Sequence, residues 1–284
     1  MKIGIGLPNP VPGVEGRTLV EWARRAEERG FSSVATIDRI AYPSYESLIA
    51  LAAAAAATER IGLMTNILLG PTRNPVLLAK ESASLDQLSG GRFTLGIGVG
   101  SRPDDYEAAE RDFANRGKRL DDDLDLLHRA WRGDLVDGAQ NPVGPRPVNG
   151  DRVPALIGGM TDKAIERTLR WGVGWTVGGA PPEVGGAFAE RVRQAWKEAG
   201  REGEPLIVGL SYFALGDDAA QSATDYLGDY YGDFGRKRAA SIPITPAALA
   251  GAIAGFADHG FDELFLDPTR ADLEQVDLLA DAVL

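Results

Sequence analysis

Short runs of apolar residues alternate with longer amphipathic stretches along the whole chain. The first pair joins the strand-like segment KIGIGL (2–7) to the helical pattern TLVEWARRAEERG (18–30), in which Gly30 marks the helix end. Three further pairs follow in the first half and four in the second, so the pattern predicts eight strands and at least eight helices. Such alternation is typical of a parallel sheet with helices packed on it.

Eight strand–helix units in 284 residues indicate the α/β class and a (β/α)₈ TIM barrel, with an open doubly wound sheet as the alternative. Two segments are longer than the connections that a minimal barrel needs. Residues 134–150, between the fourth helix and the fifth strand, are rich in Pro and Gly, and residues 228–244, after the seventh strand, are expected to be irregular. We therefore predict insertions after strands 4 and 7. The alternation continues across both, which predicts a single domain over residues 1–284.

Composition narrows the range of functions. A net charge of -11 argues against nucleic acid or an anionic membrane as partner. The absence of cysteine excludes disulfides and thiolate chemistry. The two histidines, His128 and His259, fall in helical patterns, so we predict structural roles for them and no metal site. The chain begins directly with a strand, and its longest apolar run is too short to span a bilayer, so a cytoplasmic location is expected.

In barrels the active site lies at the carboxyl ends of the strands, and three successive predicted strands end in glycine there. These glycines are Gly98 with Gly100, Gly158 with Gly159, and Gly178 with Gly179. The pattern indicates a ligand that approaches the backbone closely, with N–H groups available to an anion. It is not the G-x-G-x-x-G dinucleotide motif, because counting from Gly96 or Gly98 places Ser101 or Pro103 at the third glycine position.

The segment TERIGLMTNILLGPTRNPVLLAKESASLDQLSGGRFTLGIGVG (58–100) is the most distinctive stretch. Together with GFSSVATIDRI (30–40) and PALIGGMTDKAIERTLRWGVGWTVGG (154–179), it resembles the bacterial luciferase-like monooxygenase family over nearly the whole chain. That resemblance implies a flavin ring over the strand ends and a cofactor phosphate near the glycines of strands 5 and 6. It also implies a backbone bulge, often with a non-proline cis peptide, at Asn66–Ile67.

The resemblance assigns the cofactor as FMN, with the deazaflavin coenzyme F-420 as the alternative. The predicted cofactor-binding residues are Leu7, Thr65, Asn66, Ile67, Gly98, Gly100, Ser101, Arg102, Gly158, Gly159, Val177, Gly178 and Gly179. The expected partners are a small organic substrate, a separate flavin reductase and a second copy of the chain. The alanine-rich helix at 52–57 is a candidate dimer interface, unless it only packs within the barrel.

One departure from the family concerns the end of strand 2, where many members carry Asp-His and this chain carries Asp38-Arg39. Both residues are candidate catalytic groups, although a guanidinium cannot donate a proton near neutral pH. Arg39 either binds an anionic substrate or stabilises a peroxide or enolate, or it forms a salt bridge with Asp38 or another acid.

Three functions remain open from the sequence. The first is a flavin-dependent enzyme that uses reduced FMN to oxygenate a small substrate with O₂ or to transfer hydride. The second is a reductase or dehydrogenase that uses coenzyme F-420, whose acidic tail Arg39, Arg73 and Arg102 could meet. The third is a non-catalytic flavin-binding protein on the same fold.

Overall fold

The computed structural model describes residues 1–284 and contains eight parallel strands that close into a barrel in sequence order. The closed barrel confirms the predicted α/β architecture and excludes the open sheet. The strands are β1 (Lys2–Gly6), β2 (Ser33–Thr36), β3 (Gly62–Leu69), β4 (Phe93–Gly98), β5 (Ala155–Gly158), β6 (Gly174–Gly178), β7 (Leu206–Phe213) and β8 (Glu263–Pro268).

Helices surround the barrel on its outer face. They are α1 (Gly16–Arg29), α2 (Ser47–Ala57), α3 (Pro75–Leu88), α4 (Pro103–Ala108), α5 (Arg116–Arg132), α6 (Asp162–Trp171), α7 (Pro182–Glu198), α8 (Ala219–Tyr231), α9 (Asp233–Ala239), α10 (Pro246–Asp258) and α11 (Glu274–Val283). A short 3-10 helix, Gly70–Thr72, follows β3. None of these helices is long and apolar enough to cross a membrane.

The hydrophobic core has two layers because successive residues of a strand point to opposite faces. The larger layer lies between strands and helices and buries Trp22, Trp131 and Trp175 completely. The smaller layer fills the barrel interior with alternate strand residues such as Met64 and Phe265. Gly4 of β1 makes room for that filling, since a Cβ there would lie 2.5 Å from the Phe265 ring.

Strand β3 carries the bulge that the family resemblance implies. Its register against β4 shifts between Thr65 and Leu68, and the peptide bond between Asn66 and Ile67 is cis. The bulge turns this part of the strand toward the mouth of the barrel, where the candidate site lies.

The expectation of an irregular segment at 228–244 is wrong for its first part. Helix α8 continues to Tyr231, and α9 extends from Asp233 to Ala239 after a break at Gly232. Aromatic residues favour strands by propensity. Here, however, Tyr226 and Tyr230 bury their rings as one face of α8, and this packing outweighs propensity. Residues 134–150 form no helix or strand, in line with their Pro and Gly content.

Candidate functional site

A cavity of about 410 Å³ opens at the carboxyl ends of the strands. The structure brings most of the predicted site residues to its wall: Asp38, Arg39, Asn66, Ile67, Gly100, Ser101, Arg102, Gly158, Gly159, Val177 and Gly178. These residues come from the ends of five strands, so the closure of the barrel is what assembles them.

Four predicted cofactor-binding residues lie outside this wall. Leu7 and Thr65 are buried, and the Thr65 hydroxyl donates to the Gly96 carbonyl at 2.8 Å. Gly98 is covered by the Ile67 side chain, and Gly179 follows the last lining residue of β6. The structure therefore gives no direct contact with the cavity for these four positions.

Several lining residues are missing from the set predicted from sequence. They are Ile37, Leu69, Val99, Asp105, Met160, Leu210, Tyr212, Tyr230 and Tyr231. Tyr212 ends β7, so its position in the chain could have marked it. Tyr230 and Tyr231 belong to the segment 228–244, whose aromatic side chains the sequence predicts to close over a ring, and α8 brings both of them to the cavity.

Asn66 of the bulge lines the cavity and carries a buried amide nitrogen without a hydrogen-bond partner. The Asn66 Oδ1 atom accepts from the Thr176 hydroxyl at 2.8 Å, whereas its Nδ2 is buried without a partner. A buried unpaired amide is costly, so a ligand acceptor at this point would be strongly favoured.

The glycines of β4 and β5 make room for the bulge. A Cβ on Gly158 would lie 2.8 Å from Ile67 Cδ1, and a Cβ on Gly98 would meet the same methyl group even more closely. Both glycines are therefore needed for the Ile67 side chain to occupy its place, and a backbone contact between Gly158 and a ligand stays a prediction.

Strand β6 and the turn after β5 provide the open part of the cavity. A Cβ on Gly178 would meet nothing within 4 Å, so the space beside it is accessible. Gly159 adopts a φ of +114°, and its carbonyl accepts from the Trp175 indole at 2.6 Å. This bond directs the Gly159 carbonyl oxygen toward the protein interior, so the oxygen does not repel an anion in the cavity.

Asp38 is buried and fully engaged. Its Oδ1 accepts from Arg73 at 2.9 Å and from Ser47 at 3.1 Å, and its Oδ2 accepts from the Leu69 backbone N–H at 2.9 Å. The carboxylate therefore connects the end of β2 to the segment that follows the bulge.

Arg39 forms an ion pair, with acids other than Asp38. Its Nε lies 2.7 Å from an oxygen of Asp105, and its Nη2 lies 3.0 Å from Asp104. The Arg39 side chain is only 7% exposed. Of the two alternatives, the salt bridge is the geometry observed, and it neutralises the charge that an anionic substrate would need.

Tyrosine hydroxyls form the side of the cavity toward β7. The Tyr212 and Tyr231 hydroxyls lie 2.8 Å apart, and the Arg102 guanidinium lies over the rings of Tyr230 and Tyr231, at 4.5 and 5.0 Å from their centroids. Burial raises the pKa of Tyr212, Tyr230 and Tyr231. These phenols therefore remain protonated donors.

Both histidines lie away from the cavity, as predicted. His128 belongs to α5, and His259 caps α10 with its Nδ1 2.8 Å from the Gly255 carbonyl. No group of three or more His, Asp or Glu side chains is placed to hold a metal ion. The titratable groups that reach the cavity are therefore carboxylates, arginines and phenols.

The lining of the cavity is compatible with a heterocycle that is apolar on its faces and carries hydrogen-bond acceptors at its edge. Ile67 offers an apolar surface, and the unpaired Asn66 amide offers a donor. The space beside Gly178 is open to a ligand group, and a larger residue at position 178 would occupy it. These features match the chemical outline of a flavin or a deazaflavin.

Comparisons with known proteins agree with this outline. The model of the luciferase-like monooxygenase family matches residues 1–282. An uncharacterized protein of Mycobacterium tuberculosis is 31% identical over 224 residues, which cover 68% of this chain and 77% of that protein. The crystal structure of the monooxygenase RslO1 from Streptomyces bottropensis has a TM-score of 0.82 and 25% identity, and covers 100% of this chain and 98% of its own.

Two more distant structures share the fold. One is a secondary alcohol dehydrogenase dependent on coenzyme F-420, with a TM-score of 0.80 and 18% identity, covering 99% of this chain and 98% of its own. The other is the FMN complex of the oxygenating constituent of 3,6-diketocamphane monooxygenase from Pseudomonas putida, with a TM-score of 0.74 and 17% identity, covering 99% and 96%.

Proposed function

Because the chain belongs to the luciferase-like monooxygenase family, we propose that this oxidoreductase binds FMN at the mouth of its barrel and acts with reduced flavin on a small organic substrate. The observation that carries the proposal is the buried Asn66 amide, whose Nδ2 has no partner although Asn66 lines the cavity. A flavin ring carries carbonyl oxygens along one edge, and one of them would satisfy this donor.

The chain's own residues orient the ligands and exclude water. Ile67 would support the ring of a bound flavin, and Tyr230 and Tyr231 line the mouth on the side of α8. Bound reduced flavin supplies electrons to dioxygen or hydride to an acceptor. The Tyr212 and Tyr231 hydroxyls share one hydrogen bond, so the pair has one remaining O–H to donate to a substrate oxygen, since both phenols remain protonated. Water exclusion strengthens these contacts.

The predicted catalytic pair has a supporting role in this proposal. Asp38 holds the segment after the bulge through Leu69, and Arg39 holds α4 through Asp105. Neither side chain has a free proton or charge to give to the substrate. We therefore expect the two residues to set the shape of the cavity.

Fluorescence titration tests the proposal directly. Wild type should bind FMN, Asn66→Ala should bind it at least about tenfold more weakly because one hydrogen bond to a buried group is lost, and Asn149→Ala, at an exposed position, should match wild type. Oxygen consumption with reduced FMN and a panel of substrates then separates oxygenation from hydride transfer. Wild-type protein that binds neither FMN nor F-420 would overturn the proposal.

The F-420 alternative is supported by fold similarity alone, to F-420-dependent enzymes such as the alcohol dehydrogenase. Its acidic tail needs a basic mouth, and two of the three arginines expected there are already neutralised. Arg39 pairs with Asp105, and Arg73 pairs with Asp38 at 2.9 Å and Glu46 at 2.7 Å. Only Arg102 of that set has no acid partner, which favours FMN. A non-catalytic flavin-binding role predicts flavin binding without turnover on any substrate.

A further inference from the structure

The arginines at the mouth of the barrel differ in whether an acid neutralises them. Arg39 and Arg73 each have two carboxylate partners, and Arg236 of α9 pairs with Asp233 at 3.3 Å. Arg238, two residues further along α9, has no carboxylate within 4 Å and donates no side-chain hydrogen bond. Arg102 on the cavity wall is likewise half-buried without an acid partner, so two guanidinium groups at this end of the barrel are free to meet an anionic ligand.

Arg238 lies beside the end of β6. Three atoms of its guanidinium group would lie 3.8–4.0 Å from a Cβ on Gly179, which adopts a φ of +67°. Gly178, the neighbouring residue, lines the cavity and has open space beside it. Gly179 and Arg238 do not line the cavity themselves, but they lie next to Gly178, where the cavity opens on the side of β6.

The Gly179 N–H is not available to an anion, because it already donates to the Leu210 carbonyl at 3.1 Å. The turn after β5 presents no carbonyl from Gly159 to the cavity, since Trp175 binds that oxygen. The Gly159 oxygen therefore does not repel an anion at this point, and the Gly179 N–H does not bind one. Arg238 is the charged donor beside Gly179.

We propose, on the basis of the FMN assignment above, that Arg238 of α9 binds the phosphate of the cofactor across the Gly178–Gly179 turn. The planar guanidinium matches two phosphate oxygens at once, and the charge of the phosphate supplies the partner that the protein does not. Helix α9 is then part of the cofactor site, although it lies outside the strand ends from which barrel sites are usually built.

The test compares FMN with riboflavin, which differs from FMN only by lacking the phosphate. Arg238→Gln should raise the Kd for FMN about tenfold to a hundredfold and leave the Kd for riboflavin unchanged. Arg238→Lys should recover part of the loss, because a lysine keeps the charge but not the fork. Lys237→Gln is the matched control, since it removes one positive charge from the exposed neighbouring position.

Three results would overturn the proposal. Unchanged FMN affinity in Arg238→Gln would remove the phosphate contact. Equal losses for FMN and riboflavin would make the residue structural. A normal FMN Kd with a raised KM for an anionic substrate would assign the guanidinium to the substrate instead. Wild-type protein that binds no flavin at all would reject the proposed function, which is a different outcome from any of these.

Discussion

Asp105 is the residue on which the geometry around Arg39 depends. One of its oxygens accepts from the backbone N–H groups of Ile40 and Ala41, each at 2.8 Å, and the other is 2.7 Å from Arg39 Nε. The Asp105 side chain is 2% exposed, whereas Asp104, the second partner of Arg39, is 57% exposed. The two acids therefore contribute very differently although both contact the same guanidinium.

We expect Asp105→Ala to lower the free energy of unfolding by about 3–5 kcal/mol, because it leaves the Arg39 charge buried without its main partner. Asp104→Ala should cost about 0–1 kcal/mol, as is typical of an exposed pair. Urea denaturation of both variants measures the difference. Similar losses for the two substitutions would contradict the assignment of the buried pair as the stabilising one.

Gly178 is the best position at which to block the cavity by a single side chain. A Cβ added there would meet no atom within 4 Å, and the residue has no positive φ. Gly159 differs, because its φ of +114° would strain any larger residue. Gly178→Val should therefore weaken FMN binding while leaving the melting temperature close to that of wild type. Thermal melts measure the stability of the variant, and flavin titration measures its FMN Kd. An unchanged FMN Kd would show that the cofactor does not occupy this space.

At the scale of elements, α5 carries a histidine whose titration should be visible in stability. Burial, together with Arg152 and Arg132, lowers the pKa of His128 to about 4. In the unfolded chain the pKa of histidine is about 6.5. The unfolded state therefore binds more protons than the folded state between these values, and His128 makes the free energy of unfolding fall as the pH is lowered through this window.

The variant His128→Gln removes this proton uptake. Between pH 7 and pH 4, wild type should lose about 3 kcal/mol more stability than the variant. Parallel urea titrations at several pH values measure the difference, in which the contributions of the other acids cancel. Curves that remain parallel across the whole range would mean that His128 titrates normally in the folded protein.

Helix α8 changes the character of the site by packing against the end of the barrel sheet. Its buried face places Tyr226 against Tyr212 of β7, with ring centroids 5.9 Å apart, and the Ser222 hydroxyl lies 2.7 Å from that of Thr269 after β8. The tyrosines of α8 are therefore fixed by contacts with the ends of two strands, β7 and β8. Without them, the mouth would be open on the side of β7 and β8.

At the scale of the whole molecule, we propose that a second copy of the chain covers the surface formed by α2 and α3. Ile49 is 71% exposed there, with Leu88 at 71% and Leu77 at 56%. A groove of about 450 Å³ runs between the two helices. Exposed apolar residues grouped in this way mark interaction surfaces more often than single ones do.

A charge placed in this surface tests the dimer. Ile49→Glu should halve the mass measured by light scattering, because the buried carboxylate would have no partner. Val184→Glu on α7, where the valine is 50% exposed, is the control and should leave the mass unchanged. A monomeric wild type, or an Ile49→Glu protein that remains dimeric, would exclude this interface.

The sequence by itself determined the architecture, because strand and helix periods are local properties of the chain. Eight apolar runs and the helices between them led to the closed barrel, and the family resemblance led to the bulge at Asn66–Ile67. The position of a residue at a strand end was enough to place Asp38, Asn66 and Gly178 at the cavity.

Only the tertiary structure decided what these residues do there, since partners distant in the chain meet only after the barrel closes. Arg39 finds its acid 66 positions away, on α4. Gly98 and Gly158 look like ligand contacts along the chain, yet in space they make room for Ile67. Along the chain, Arg238 and its neighbour Arg236 look alike. Only the structure shows that Arg236 pairs with a carboxylate and Arg238 does not, because charge compensation depends on distance and not on sequence order.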